Sequence, residues 1–207
     1  AAAASTRFGA VLLSGAGGSY LANVLYKQRP LPVRGAAEAL LGYPGTGHRL
    51  HEDDPALTVL QWALDAADVA PYAAALRARP DGPHVLMQQG IVDRYILPPI
   101  ANTLSLAWGL DLAGEALDAT HRELTRFDPF LRLAPFAGTT QIAGAARGNR
   151  GDGAQTLVLR QYAEDGIEDG HEVVFQRDDA RRDLRCFLQR WRTEGVPALP
   201  SQGEGCD

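Results

Sequence analysis

The sequence predicts an α/β protein with a mainly parallel sheet, and three observations carry that expectation. Residues 8–13 are a short continuous apolar run, the pattern of a strand buried on both faces, and 84–88 and 156–162 read as a second and a third strand around Val85-Leu-Met87 and Leu157-Val-Leu159. Stretches with helical spacing or helix-start signals lie between and after them, so strands and helices alternate. Turn residues punctuate the joints, in Ser14-Gly-Ala-Gly-Gly18, Asp81-Gly-Pro83 and the segment 164–170.

Taken in order, the run 8–13 is the first expected strand, and its glycine-rich turn leads into a helix over 19–26. Residues 30–52 are rich in Pro, Gly and His, with one short helical stretch at 36–41. Asp54-Pro55 joins an N-capping carboxylate to a proline at the first helical position, and Leu57, Leu60, Trp62 and Leu64 make the helix that follows largely apolar. Another helix is expected over 71–78. The second buried strand, 84–88, runs on through Gln89-Gly-Ile-Val-Asp93, and Pro98-Pro99 opens a helix over 100–110. Residues 134–155 are rich in Gly, Ala and Thr without a period, which reads as a mobile or functional loop. The third strand, 156–162, precedes the turn-rich 164–170 and an amphipathic helix over 179–191. The tail from Gly195 is expected to be disordered unless Cys206 anchors it.

The division that results is a core strand and helix (1–29), a helical cap (30–82), a C-terminal core (83–194) and a tail (195–207). The run 8–13 reads as a central strand, which needs hydrogen-bonded neighbours on both sides. Three evident strands offer too few, so an N-terminal part, missing or supplied as a separate chain, is expected to complete the sheet. The absence of an initiator Met at residue 1 fits this expectation.

Composition narrows the function classes. With 207 residues, 45% of them apolar and 22% charged, the chain can bury a core without staples. A formal charge of −5 leaves no basic face for neutralising phosphates, so no nucleic-acid partner is expected. No apolar run is long enough to span a membrane, and residues 1–7 lack the pattern of a signal peptide. Cys186 and Cys206 do not fit metal spacing. They form either one disulfide, which would suit an extracytoplasmic protein, or two unrelated thiols.

Functional groups in open parallel sheets collect at the carboxyl ends of strands. Asp93 lies just past one such end, and His171 lies in a loop after the next evident strand. A carboxylate there can fix the imidazole tautomer and stabilise its protonated form, so that the histidine takes a proton from a hydroxyl nucleophile.

The segment Val85-Leu-Met-Gln-Gln-Gly-Ile-Val-Asp93-Arg-Tyr-Ile-Leu-Pro-Pro99 resembles the late core strand and acid loop of the α/β-hydrolases. Asp169-Gly-His171, followed by an apolar patch and a final helix, resembles the histidine loop of that family. The acid precedes the histidine by 78 residues, as in the family's order of serine, acid, histidine. The resemblance covers roughly residues 8–192. It implies a serine hydrolase of ester or related acyl substrates, with a helical cap, no metal and no organic cofactor. Asp93 would orient His171, and His171 would act as general base and then general acid. The apolar cap residues hint at a lipophilic substrate, or only pack the cap.

The nucleophile does not fit within this chain. The family's elbow is small-x-Ser-x-small, whereas Ser14 stands in Leu12-Leu-Ser-Gly-Ala16 and Ser19 is followed by Tyr20 and Leu21. The serine and the oxyanion-hole amides are therefore expected upstream, with Ser14 the weaker candidate. Asp165, Glu168 and Asp169 are alternative acids or an exposed acidic loop. His48 and His51, beside Glu52, Asp53 and Asp54, invite a metal site but read better as a solvated polar loop, and no metal is expected. His84 and His121 read as structural. Gly15-Ala-Gly17 invites a nucleotide-dependent enzyme, yet Tyr20 stands where that fingerprint needs a small residue. The other alternative is a non-catalytic protein that keeps the fold for binding.

Overall fold

The computed structural model describes residues 5–166 and 169–206. The chain is α/β, with a five-stranded parallel sheet formed by β1 (Ala10–Ser14), β2 (His84–Gly90), β3 (Asp111–Ala113), β4 (Gln141–Ile142) and, after the short β5 (Ala146–Arg147), β6 (Leu157–Tyr162). The spatial order is β1-β2-β6-β3-β4. β5 pairs antiparallel with β7 (Ala198–Leu199) in a separate ribbon.

Alternation along the central strands builds two cores. Val85 and Met87 of β2, level with Leu157 and Leu159 of β6, pack with Ala73 and Leu76 of α4 (Val69–Arg77) and Leu104 and Trp108 of α5 (Pro98–Trp108). Leu86 and Val158 face the other way, onto Phe187 of α9 (Asp178–Glu194) and Leu199 of β7. The sheet is thus covered on both faces, the usual condition of parallel sheets.

A smaller apolar cluster, centred on Leu25, Leu50 and Leu57, joins α1 (Tyr20–Tyr26) to α2 (Arg34–Leu40) and α3 (Pro55–Leu64) of the region expected to form the cap. α3 begins as the sequence predicts. Asp54 caps it by accepting the Ala56 N–H at 2.9 Å, and Pro55 follows. Trp62 is 78% exposed on this helix, so it does not belong to the packing of the cap.

Two expectations need correction. β3, β4, β5 and β7 were not anticipated; each has two or three residues, too few for a period to show. The segment 134–155 is accordingly not structureless, since it carries β4, β5 and an antiparallel bridge between Arg150 and Gln155. β1 is not central among the described residues. It pairs with β2 alone, and Phe8 (46% exposed) and Leu12 (38%) stand open on that margin.

The tail is ordered. Arg160, in the middle of β6 and fully buried, donates from Nε to the Ala113 carbonyl and from Nη2 to the Pro200 carbonyl, and pairs with Asp183 of α9 at 2.8 Å. Tyr162 donates its hydroxyl to the same carboxylate, and burial together with the Asp183 charge pushes its pKa upward. Cys186 of α9 and Cys206 form a disulfide across a separation of 20 residues. Chain-entropy arguments give such a loop about 3 kcal/mol. Cys206→Ser should therefore lower the unfolding free energy by about that amount in urea titrations, and reductant should do the same to the parent chain. Two titratable thiols in denatured, unreduced protein would show that the bridge does not form.

Candidate functional site

Asp93 and His171 meet at the carboxyl end of the sheet because their strands, β2 and β6, are parallel neighbours. The Asp93 side chain is 3% exposed, and its Oδ2 lies 3.0 Å from His171 Nδ1. Its Oδ1 accepts the N–H groups of Tyr95 and Ile96, each at 2.8 Å. That leaves Oδ2 for the imidazole and fixes the carboxylate in one orientation. A carboxylate at Nδ1 selects the tautomer with its proton there, and Nε2 is then basic. Burial pushes the Asp93 carboxyl above the usual aspartate range, against the opposing pull of the Ile96 N–H, His171 and the Tyr95 N–H.

Glycines allow the two loops to touch. A Cβ on Gly90, the last residue of β2, would lie 1.8 Å from the Gly170 carbonyl oxygen, and one on Gly170 would lie 2.7 Å from the Ile91 oxygen and 3.0 Å from the Asp93 nitrogen. Asp169 fastens the contact: its Oδ1 accepts the Arg94 N–H at 2.9 Å and the His171 N–H at 3.2 Å. Asp169 therefore positions the loop and is not an alternative acid at the ring. Glu168, another acid candidate of this loop, lies outside the described residues. Val92, immediately before Asp93, has φ 68°, a costly conformation for a β-branched residue and one that clusters at functional sites.

The imidazole is clamped between two surfaces. Tyr95 stacks on it with ring centroids 4.8 Å apart and planes at 28°. Near the backbone of Gly15, a Cβ would fall 2.5 Å from His171 Cε1 and 2.6 Å from Nδ1. His171 remains 28% exposed, and among the described residues nothing hydrogen-bonds its Nε2.

Neither serine of the first turn joins this pair. Ser14 is exposed at the end of β1 and has no hydrogen bond to His171. Ser19 caps α1, where its Oγ accepts the Ala22 N–H and donates to Gln61. The glycine turn is also committed internally. The Gly18 N–H donates to the Ile100 carbonyl and the Ser19 N–H to the Asp68 carboxylate, so two amides that a phosphate would need are already used. His84 bridges the Thr156 N–H and the Gly195 carbonyl, and His121 accepts the Glu123 N–H; both have structural surroundings.

A cleft of about 760 Å³ opens between the cap and α5, with Leu25, Tyr26, Lys27, Asn102, Leu106 and Phe127 among its walls. It adjoins the acid loop, because the Gln28 and Arg29 N–H groups both donate to the Arg94 carbonyl. Asn102 is 1% exposed, and neither its amide nitrogen nor its oxygen has a hydrogen-bond partner among the described residues. Buried amides are rarely left so. Sequence reading missed Tyr95 and Asn102 as contributors, and gave Gly15 and Asp169 other roles. Only the glycines beside Asp93 and His171 left a trace, in the two loop motifs.

The chain matches no protein-family model, no curated protein and no solved structure.

Proposed function

We propose that this chain is the acid-and-histidine portion of a serine hydrolase of carboxylic esters. The observation that carries the reading is the Asp93–His171 pair: a buried, doubly anchored carboxylate 3.0 Å from Nδ1, with an Nε2 that no group among the described residues hydrogen-bonds. Chain order and the parallel neighbourhood of β2 and β6 support it. His171 removes the proton from a serine hydroxyl as the serine attacks the ester carbon, and then delivers that proton to the departing alcohol. Water repeats the sequence to release the acid. Asp93 stays ionised and stabilises the imidazolium.

The serine and the oxyanion-hole amides come from an upstream segment, covalently continuous or a separate chain, that pairs with the open margin of β1. The unpaired outer side of β1, with Phe8 and Leu12 exposed, supports that partner. The substrate is a small acyl compound held in the cleft beside Asn102. The disulfide favours an extracytoplasmic setting. No helix among the described residues is long and apolar enough to cross a membrane.

The test is hydrolysis of short-chain chromogenic esters by the polypeptide that includes the upstream region, with a serine-directed phosphonate as inhibitor. Activity, and a single label on a serine preceding residue 1, is the expected result. Residues 1–207 alone should not label. Labelling at Ser14 would make this chain self-sufficient, and a folded but inactive, unlabelled full polypeptide would favour a binding protein.

A further inference from the structure

We propose a divalent transition-metal site in the cap, formed by His48, His51 and Asp54, whose juxtaposition lies outside the Asp93–His171 pair and does not depend on the hydrolase reading. The three side chains each offer one ligand atom, and these atoms all lie within 4.8 Å of one another. His48 Nε2 is already 3.0 Å from Asp54 Oδ2. In a tetrahedral zinc site with bonds of roughly 2.0–2.1 Å, ligand atoms are about 3.3 Å apart. One edge of the polyhedron is thus formed. The His51 ring, exposed and without a hydrogen bond of its own among the described residues, completes the set by a side-chain rotation.

The surroundings are built rather than loose. Asp54 is 1% exposed. Its carboxylate is fixed by the Ala56 N–H at 2.9 Å and by the Tyr43 hydroxyl, which donates to Oδ2 at 3.1 Å, the outer support that a ligating carboxylate needs. The Tyr43 ring also meets His48 edge-on at 4.4 Å, limiting where that imidazole can turn. The backbone between the histidines is anchored by Leu50, fully buried, whose N–H donates to buried Glu38. The Asp54 N–H donates to the His51 carbonyl, so the two ligands share one turn.

Two imidazoles and one carboxylate suit Zn²⁺, Co²⁺ or Ni²⁺ rather than Mg²⁺ or Ca²⁺, which take oxygen ligands. The fourth position is open to water. Asp54 also caps α3, so the ion would couple the 43–54 loop to that helix and stiffen the cap.

The experiment titrates the intact chain with Co²⁺ and Zn²⁺. The visible spectrum of Co²⁺ reads tetrahedral coordination, and thermal melts read stabilisation, which should grow with the logarithm of Zn²⁺ concentration. His51→Ala should leave the metal-free melting temperature unchanged, weaken Zn²⁺ binding by about 100-fold or more, and abolish the Co²⁺ spectrum. Asp54→Asn does not serve, since it also disturbs the helix cap, so His48→Ala is the second variant and should behave as His51→Ala does. His171→Ala should retain the full Zn²⁺ response. A parent chain without a tetrahedral Co²⁺ spectrum would overturn the site, and so would an equal Zn²⁺ shift in the His51 variant.

Discussion

His171→Ala in the polypeptide that carries the nucleophile should lower kcat/KM for ester hydrolysis by roughly four orders of magnitude, with the fold unchanged. The side chain stacks on Tyr95 and packs on the Gly15 backbone outside the apolar clusters of the sheet, so its loss leaves the cores intact. Asp93→Asn should cost activity on a similar scale for a different reason. If the amide keeps its oxygen toward the Tyr95 and Ile96 N–H groups, its NH₂ faces His171 Nδ1. Nδ1 must then accept, the ring proton moves to Nε2, and the base is lost.

Stability should move the other way. The folded-state pKa of Asp93 lies above its ordinary value, so the folded chain holds that proton more tightly than the unfolded chain. The group's favourable contribution is therefore present below the unfolded pKa, near 3.9, and is lost as pH rises through the folded pKa. At pH 7 the buried carboxylate costs stability, and an uncharged amide escapes that cost. Asp93→Asn should melt at or above the parent temperature at pH 7, with the gap narrowing toward pH 4. Melts at both pH values, set beside kcat/KM, decide the matter. Near-full activity in either variant would end the proposed roles.

The sequence made the parts of this site visible but not their contacts. β1, β2 and β6 stood out because each carries three or four consecutive apolar residues, which suit strands buried on both faces. β3, β4, β5 and β7 did not, because their pairing is set by tertiary packing and not by local pattern. Arg160 misleads in the same way: a charge amid a core strand is tolerable only because Asp183, seventeen-residue α9 and the tail bring it partners from elsewhere. The order of Asp93 and His171 was legible because each follows an evident strand. Their 3.0 Å approach was not, since it depends on β6 lying beside β2 and on glycines at 90 and 170. The edge position of β1 has a similar origin, for no local feature of residues 8–13 says which strands will flank it.

Gly15→Ala should lower kcat/KM by about 100-fold, the scale expected when a catalytic group is misplaced by about 1 Å. Two effects act together there. Gly15 has φ 54°, in the left-handed region, where a side chain costs roughly 1–2 kcal/mol. The added Cβ would also lie 2.5 Å from His171 Cε1 and 2.6 Å from Nδ1, so either the ring or the end of β1 must move. Asp93 is held by two backbone amides and cannot follow the ring, so the displacement opens the Nδ1 contact. Gly42→Ala separates the causes. Gly42 also has a positive φ, 72°, but a Cβ there meets nothing within 4 Å, so that variant carries the backbone cost alone. Gly42→Ala should lose roughly 1–2 kcal/mol in urea titrations and Gly15→Ala at least as much, while only Gly15→Ala loses the activity. Imidazole nitrogen chemical shifts should show that the His171 ring of the Gly15 variant has lost the Nδ1 contact to Asp93, as the ring in Asp93→Asn has. If Gly15→Ala instead kept its kcat/KM, the backbone at residue 15 would not be what sets the position of His171.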